Sequence, residues 1–261
     1  MRLATSARRV LPVVVLVAGA LSSASVAADM RPIHIQRVTV LPQGQSELFG
    51  MLAYEFSREP VAFGQEVDYD NLRVGPLGIR FGAGNGLEFG GHLTFNANSG
   101  DGSDDPDDSG LEALTGFAKI GLTDQLAVEG GVRIAGDDEV GPYPMDGIDF
   151  YVNLAAEQPI GPQGKIYGEF GITVQDNDGF GGTYENWGIG YAHRINPELV
   201  LNAELVGDSA PGVYGAGNHM DVVLGASFTV QRAMVVKPFM SVGVYDASPD
   251  AAFGVGFEMP L

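Results

Sequence analysis

The chain has 261 residues, of which 38 are Gly, 33 are Asp or Glu, 14 are Lys or Arg and none is Cys. The lack of Cys excludes disulfides, thiolate metal sites and cysteine nucleophiles. A formal charge of −19 argues against nucleic acid as a partner, because phosphates require a basic face. An apolar content of 45% indicates a folded chain rather than a disordered polyanion.

The first residues have the pattern of an export signal. Three arginines precede a short apolar run over 10–21, and small residues follow at Ser25 and Ala27. The apolar run is too short for a membrane-spanning helix. We therefore predict a cleaved signal peptide over 1–27 and export of the remaining chain.

Residues 28–45 lie between this signal and the first patterned segment. They include the stretch Pro32-Ile33-His34-Ile35. We interpret 28–45 as a periplasmic N-terminal tail or an extra strand. A plug inside a barrel lumen is the remaining alternative.

From residue 46 onward, apolar and polar side chains alternate with the period of a β-strand. In 126–134, for example, Glu129 and Arg133 share one face, and apolar residues or Gly occupy the other. Most of the segments match the roughly 9–11 residues that a tilted strand needs to cross a bilayer. The predicted strands are 46–56, 71–83, 87–96, 111–122, 126–135, 147–158, 165–174, 183–194, 198–206, 219–230, 234–245 and 252–259.

The links between these segments are alternately long and short. The short links are rich in Gly, Asn, Asp and Pro, as hairpin turns are, and the first link is long. This alternation is typical of a barrel with short periplasmic turns and longer extracellular loops. A turn centred on Asp124 places Lys119 opposite Glu129, and a turn centred on Asn85 places Phe81 opposite Phe89.

The two faces of the predicted strands suit lipid outside and water inside. Aromatic residues of the apolar face form two girdles: Tyr54, Phe56, Phe95, Phe150, Tyr184 and Phe253 near the long links, and Phe81, Phe89, Tyr191, Phe228 and Phe257 near the turns. The polar face has too many ionisable groups for the dry core of a soluble sandwich. The predicted pore-lining residues are Arg80, Glu88, His92, Lys119, Glu129, Arg133, Asp149, Glu169, Glu204 and Lys237.

These segments, together with the every-second apolar pattern from Phe253 to Leu261, resemble small porin-like outer-membrane β-barrel proteins of Gram-negative bacteria over 46–261. The turn over 121–126 is similar to turns in the meta-pathway phenol-degradation family of outer-membrane proteins. The resemblance implies an all-β, antiparallel up-and-down transmembrane barrel of about twelve strands. It also implies contact with outer-membrane lipid and lipopolysaccharide, and with the barrel assembly machinery during biogenesis.

The long links contain eighteen acidic residues and one base, Arg58. A mouth of that charge enriches cations and repels anions. We therefore predict a narrow passive channel for small polar or cationic solutes. The main alternative is a non-conducting structural or adhesive barrel, in which paired charges close the lumen.

One acidic loop has spacing that suggests a metal ion. Asp101, Asp105, Asp107 and Glu112 occupy positions of an EF-hand-like loop, but Pro106 stands where that loop requires Gly. These four residues are weak candidates for loose Ca²⁺ or Mg²⁺ binding. No other cofactor is expected.

A third alternative is a hydrolase at the outer rim. His219 and Asp221 share a face of one strand, with Asp208 across the adjoining loop, so a water-activating pair is geometrically feasible. No nucleophile accompanies them in a recognisable constellation. We therefore predict that the protein is not an enzyme.

Overall fold

A closed antiparallel β-barrel of twelve strands forms the body of the protein in a computed structural model. The described residues are 30–58, 61–62, 65–66, 69–100, 109–136, 147–175, 182–209, 218–230, 234–245 and 248–261. Across these ranges no helix has the length and apolarity needed to span a bilayer. The predicted fold class, an all-β up-and-down barrel of twelve strands, is confirmed.

Each barrel strand pairs with its neighbours in chain order, and the last strand pairs with the first. A short hairpin in the first link forms a separate two-stranded sheet from β2 (Val61–Ala62) and β3 (Gln65–Glu66). The barrel strands are β1 (Ser46–Arg58), β4 (Tyr69–Gly84), β5 (Leu87–Gly100), β6 (Ser109–Thr123), β7 (Leu126–Ala135), β8 (Ile148–Ile160), β9 (Gly164–Val174), β10 (Thr183–Asn196), β11 (Leu199–Asp208), β12 (His219–Thr229), β13 (Val235–Gly243) and β14 (Ala251–Pro260).

The register of the hairpins follows the predicted side-chain pairing. Lys119 lies opposite Glu129 across β6 and β7, and Phe81 lies opposite Phe89 across β4 and β5. A shift of one residue would turn every apolar side chain of a strand toward the other face, so burial specifies the register strongly. In the β4–β5 turn, Asn85 has a positive φ of 53°, which Asn tolerates better than most residues.

The outer face of the barrel is a continuous apolar surface. Large apolar side chains in the middle of the strands are about half exposed, among them Val152 at 57% and Ile189 at 55%. In water such a surface would be a liability, whereas in a bilayer it meets hydrocarbon. The outer surface therefore has the chemistry that a membrane-spanning barrel requires.

Tyr184 corrects one detail of the predicted girdles. Its strand partner is Thr173, which is 6% exposed and faces the interior, and the two side chains are hydrogen-bonded. Tyr184 and Tyr191 are seven residues apart, so a regular strand places them on opposite faces. Tyr191 is 41% exposed on the outside, and Tyr184 lies in the lumen.

A charge on the outer face should destabilise the barrel according to its depth. Val152→Arg places a guanidinium in the middle of β8, and the expected loss in the free energy of unfolding is about 2–4 kcal/mol. The matched control, Ile160→Arg, lies at the turn end of the same strand and should cost about 0–1 kcal/mol. Urea titrations of protein refolded in phospholipid vesicles measure both. Equal costs would contradict a bilayer around the middle of β8.

Candidate functional site in the barrel lumen

Residues 30–45, called here the inner segment, enter the barrel instead of leaving it. Ile35 and Val38 are 4% and 3% exposed. Ile35 packs against Tyr167, Ala192 and Val200, and Val38 packs against Ala127 and Ala155. This placement corrects the expectation of a periplasmic tail or an extra strand for the described part of 28–45. The inner segment fills part of the lumen, as the plug alternative requires.

Two wall glycines make room for the apolar side chains of the inner segment. A Cβ atom at Gly188 would lie 2.7 Å from Cγ1 of Ile35, and a Cβ atom at Gly225 would lie 2.2 Å from Cδ1 of Ile33. Any larger residue at these positions would occupy the space that the two isoleucines use. The wall is therefore shaped to fit this segment.

This fit gives a prediction for Gly188. Because the chain has no Cys, Val38→Cys supplies a single thiol whose maleimide labelling rate reports how often the inner segment leaves its place. Gly188→Ala should accelerate labelling, since overpacking costs about 1–3 kcal/mol. Ile35→Ala should also accelerate it, by removing contacts worth about 2–5 kcal/mol. When Gly188→Ala and Ile35→Ala are combined, the new methyl group enters the space that Ile35 has vacated, so their combined effect on the labelling free energy should be smaller than the sum of the two single effects. If the two single effects simply added, the contact between Gly188 and Ile35 would be contradicted.

Wall glutamates accept hydrogen bonds from the main chain of the inner segment. The N–H groups of Ile33 and His34 donate to the two carboxylate oxygens of Glu204, at 2.6 and 2.9 Å. Gln36 N–H donates to Glu169 at 2.9 Å, and Leu41 N–H donates to Glu88 at 2.8 Å. A buried N–H group outside regular structure needs such a partner. The wall carboxylates therefore satisfy a chain that forms neither helix nor strand.

Wall lysines bind the carbonyl groups of the same segment. Lys237 Nζ donates to the carbonyl of Pro32 at 2.7 Å, and Lys119 Nζ donates to the carbonyl of Arg37 at 3.2 Å.

His34 of the inner segment lies within the lumen beside these groups. Burial lowers the pKa of His34 below its ordinary value, although Glu204 acts in the opposite direction. His34 is therefore neutral at neutral pH, so Arg31 and Arg37 supply the positive charge of the inner segment.

The two arginines of the inner segment contact a cluster of three carboxylates, Glu47 of β1, Glu88 of β5 and Glu258 of β14. Arg31 donates to Glu47 at 3.0 Å and also to Glu258. Arg37 lies 3.3 Å from Glu47 and 3.5 Å from Glu88. The barrel closes where β14 pairs with β1. Because the three carboxylates come from β14, β1 and β5, the inner segment contacts strands on both sides of this closure.

Beyond the inner segment, toward the long links, the lumen has a second charged layer. Arg133 lies between Asp149 and Glu112, at 2.9 and 3.1 Å, and Asn96 donates to Glu112 at 3.0 Å. Arg73 lies 3.6 Å from Glu112, and its side chain is 35% exposed. This layer is paired but more open than the carboxylate cluster below it.

A cavity of about 290 Å³ lies beside the inner segment, where β1, β4, β13 and β14 form the wall. Its lining combines apolar groups with charged ones: Ile33, His34, Phe49, Met51, Arg73, Lys237 and Glu258. Phe49 also packs near His92 and Phe117, with ring centroids 6.1 and 6.5 Å apart. The lumen therefore retains space for small molecules alongside the segment.

All ten predicted pore-lining residues face the interior. Six of them contact the inner segment through hydrogen bonds or ion pairs: Glu88, Lys119, Glu129, Glu169, Glu204 and Lys237. The other four pair with wall residues or pack among them: Arg80 binds Glu47, Arg133 binds Asp149, and His92 lies near Phe117. The prediction missed Arg31, Arg37 and Arg73. No local pattern indicated the first two, because the sequence Ile-His-Ile-Gln-Arg-Val over 33–38 does not alternate regularly.

Of the four candidate metal ligands, Glu112 alone lies among the described residues. Asp101, Asp105 and Asp107 lie outside the described residues, and Glu112 points into the lumen between two arginines. Within the described ranges, no group of three or more His, Asp or Glu side chains has an arrangement suited to a metal ion.

The rim constellation does form, as a bridge between strands. His219 Nε2 lies 3.1 Å from Asp221, and Nδ1 lies 3.5 Å from Asp208. Both ring nitrogens therefore face carboxylates. This arrangement favours a structural tie between β11 and β12 over a base for hydrolysis.

Comparisons with known proteins identify the fold. No protein-family model and no curated protein sequence matches the chain. The COG4313 outer membrane channel from Pseudomonas putida F1 is similar in structure, with a TM-score of 0.64 and 14% identity over 89% of this chain and 100% of that chain. The β domain of the Bordetella autotransporter BrkA is also similar, with a TM-score of 0.51 and 12% identity over 81% of this chain and 98% of that domain. The NanC porin has a TM-score of 0.50 and 12% identity over 82% of this chain and 100% of the porin chain. The chain therefore has the fold of outer-membrane β-barrels.

Proposed function

We propose that the protein is an outer-membrane channel for small solutes, narrowed on its periplasmic side by the inner segment. The observation that carries this proposal is the polar interior, in which charged side chains continue from the carboxylate cluster to the layer around Arg133. The similarity in fold to a solved channel and a porin supports it. Export through a cleaved signal peptide over 1–27 and contact with lipopolysaccharide belong to the same proposal.

The charge of the lumen favours cations. The described inner segment is contacted through hydrogen bonds or ion pairs by six wall carboxylates, from Glu47, Glu88, Glu129, Glu169, Glu204 and Glu258, and by two wall bases, Lys119 and Lys237. Arg31 and Arg37 reduce this excess without removing it. A narrow passage with that balance raises the local concentration of cations. Small polar or cationic solutes are therefore the proposed cargo.

Ion-selectivity measurements test this function. In planar bilayers under a KCl gradient, the wild-type protein should give small conductance steps and a reversal potential on the cation side. Arg73→Glu should move the reversal potential further in that direction, because Arg73 is partly exposed in the lumen. Lys119→Glu is a poorer probe, since Lys119 is 1% exposed and binds both Glu88 and the inner segment. A preference for anions would contradict the proposal.

The second candidate is a non-conducting structural barrel. The observation that favours it is the dense packing of charged groups, since Glu47, Glu88 and Lys119 are each at most 1% exposed. This candidate predicts no current from the wild-type protein and none from a variant whose inner segment has been removed. The channel proposal predicts a current from both.

The outer rim and the acidic loop can each be tested simply. If the rim acts as a hydrolase, His219→Ala should abolish a lipid- or peptide-cleaving activity; we expect no such activity to depend on His219. If the acidic loop over 101–108 holds Ca²⁺ or Mg²⁺ loosely, calcium titration should change its protease sensitivity at millimolar concentration.

A further inference from the structure

The carboxylate cluster of Glu47, Glu88 and Glu258 divides its oxygens between two sets of partners. On the wall side, Oε1 of Glu47 binds Arg80 at 2.7 Å, and Oε1 of Glu258 binds Lys237 at 2.7 Å. The other oxygen, Oε2, of each of these carboxylates accepts a hydrogen bond from Arg31. The wall therefore binds Oε1 of each group, and Oε2 of each group is left to the inner segment; Arg37 of the inner segment also lies 3.3 Å from Oε1 of Glu47.

Glu88 follows the same division. Its Oε1 lies 3.4 Å from Lys119 of the wall, and its Oε2 accepts the N–H of Leu41 at 2.8 Å and lies 3.5 Å from Arg37. All three Oε2 atoms thus serve the inner segment. Whenever that segment moves away, these three acceptors on β1, β5 and β14 lose partners, and their wall partners Arg80, Lys119 and Lys237 remain beside them.

Guanidinium is the cation that the vacated positions would fit. Nη1 of Arg31 bridges Oε2 of Glu47 and Oε2 of Glu258. The guanidinium of Arg37 spreads over all three carboxylates, with Nη1 near Glu47 and Glu258 and Nη2 near Glu88. The planar fork of a guanidinium presents several N–H donors at fixed angles and is more weakly hydrated than an ammonium. A metal cation or a quaternary ammonium has no N–H donors.

We propose that Glu47, Glu88 and Glu258 form a binding site for solutes that carry a guanidinium group, and that Arg31 and Arg37 occupy this site as a tethered ligand. The proposal rests on the proposed channel function and names the class of cationic solute that the lumen binds. A guanidinium-bearing solute competes with the two arginines for the same carboxylate oxygens. The inner segment and the cargo therefore exclude each other at this level of the lumen.

Full-length protein in detergent tests the site directly. Methylguanidinium is the probe and tetramethylammonium the control, because both carry methyl protons that saturation-transfer NMR detects. In Arg31→Gln/Arg37→Gln, methylguanidinium should bind at least tenfold more tightly than in the wild type, while tetramethylammonium should bind equally weakly to both. Adding Glu258→Gln should weaken methylguanidinium binding about tenfold. Adding Glu157→Gln should change nothing, because Glu157 pairs with Lys165 outside the cluster.

Current measurements separate failure of this inference from failure of the channel. Methylguanidinium should block the K⁺ current of the double variant at lower concentration than that of the wild type. A current without preference for methylguanidinium over tetramethylammonium would refute the site and leave the channel intact. Specific binding without current in any variant would refute the channel and keep the site. If the double variant loses its heat-modifiable gel shift, Arg37→Gln alone replaces it, with the same expectations at smaller amplitude.

Discussion

A variant that lacks residues 30–41 should conduct several-fold better than the wild-type protein in planar bilayers. The deletion removes Ile33, Ile35 and Val38 from the lumen, together with the guanidinium groups of Arg31 and Arg37. The passage becomes wider, and its wall keeps an excess of carboxylates. The reversal potential should therefore move further toward that of a perfect cation channel.

The deletion can be checked against loss of the barrel itself. Heat-modifiable migration on gels reports whether the barrel is closed, and Ile160→Arg, at the turn end of β8, provides a conducting control with an intact inner segment. The inner segment would have no role in limiting conductance if a folded deletion variant and the wild type carried the same current. If neither the deletion variant nor the wild type conducted, the structural barrel would be favoured.

Glu204→Gln should release the inner segment more than any other conservative change in the wall. Glu204 accepts two main-chain N–H groups and the hydroxyl of Tyr167, at 2.8 Å. An amide has one oxygen, so its NH₂ group would face one of those N–H donors. An unsatisfied buried donor costs about 1–3 kcal/mol, which corresponds to roughly tenfold to a hundredfold in the ratio of released to seated segment.

The labelling rate of Val38→Cys measures this release. It should rise by about one to two orders of magnitude when Glu204→Gln is added. Glu157→Gln makes the same chemical change at a wall glutamate that pairs with Lys165, and it should leave the rate unaltered. If the two substitutions acted alike, the effect would come from lost charge in general and not from the hydrogen bonds to Ile33 and His34.

The fold could be predicted because two simple signals repeat along the chain. Alternation of apolar and polar residues specifies which face of each strand meets lipid and which meets the lumen. Cross-strand pairs such as Lys119 and Glu129 test the register of each hairpin. The girdle assignment of Tyr184 was wrong because it ignored the odd spacing from Tyr191, which the same rule of alternation forbids. Local pattern was therefore sufficient wherever it was applied consistently.

The site could be predicted only in part. Alternation places Glu88, Glu169 and Glu204 in the interior, but it does not say what they bind there. Their partners in the inner segment are 47 to 171 residues away in the chain, and the segment has no regular structure that a pattern would reveal. Long-range contacts of irregular chain depend on the shape of the closed wall, including the space at Gly188 and Gly225.

The contacts of Arg31 have a consequence for the order of assembly. Its two carboxylate partners belong to the first and last barrel strands, so they stand side by side only after β14 has joined β1. A half-built barrel offers this arginine one carboxylate of the two. Arg31 can consequently complete its contacts only after the final strand has paired with the first, so its docking marks the closure of the barrel.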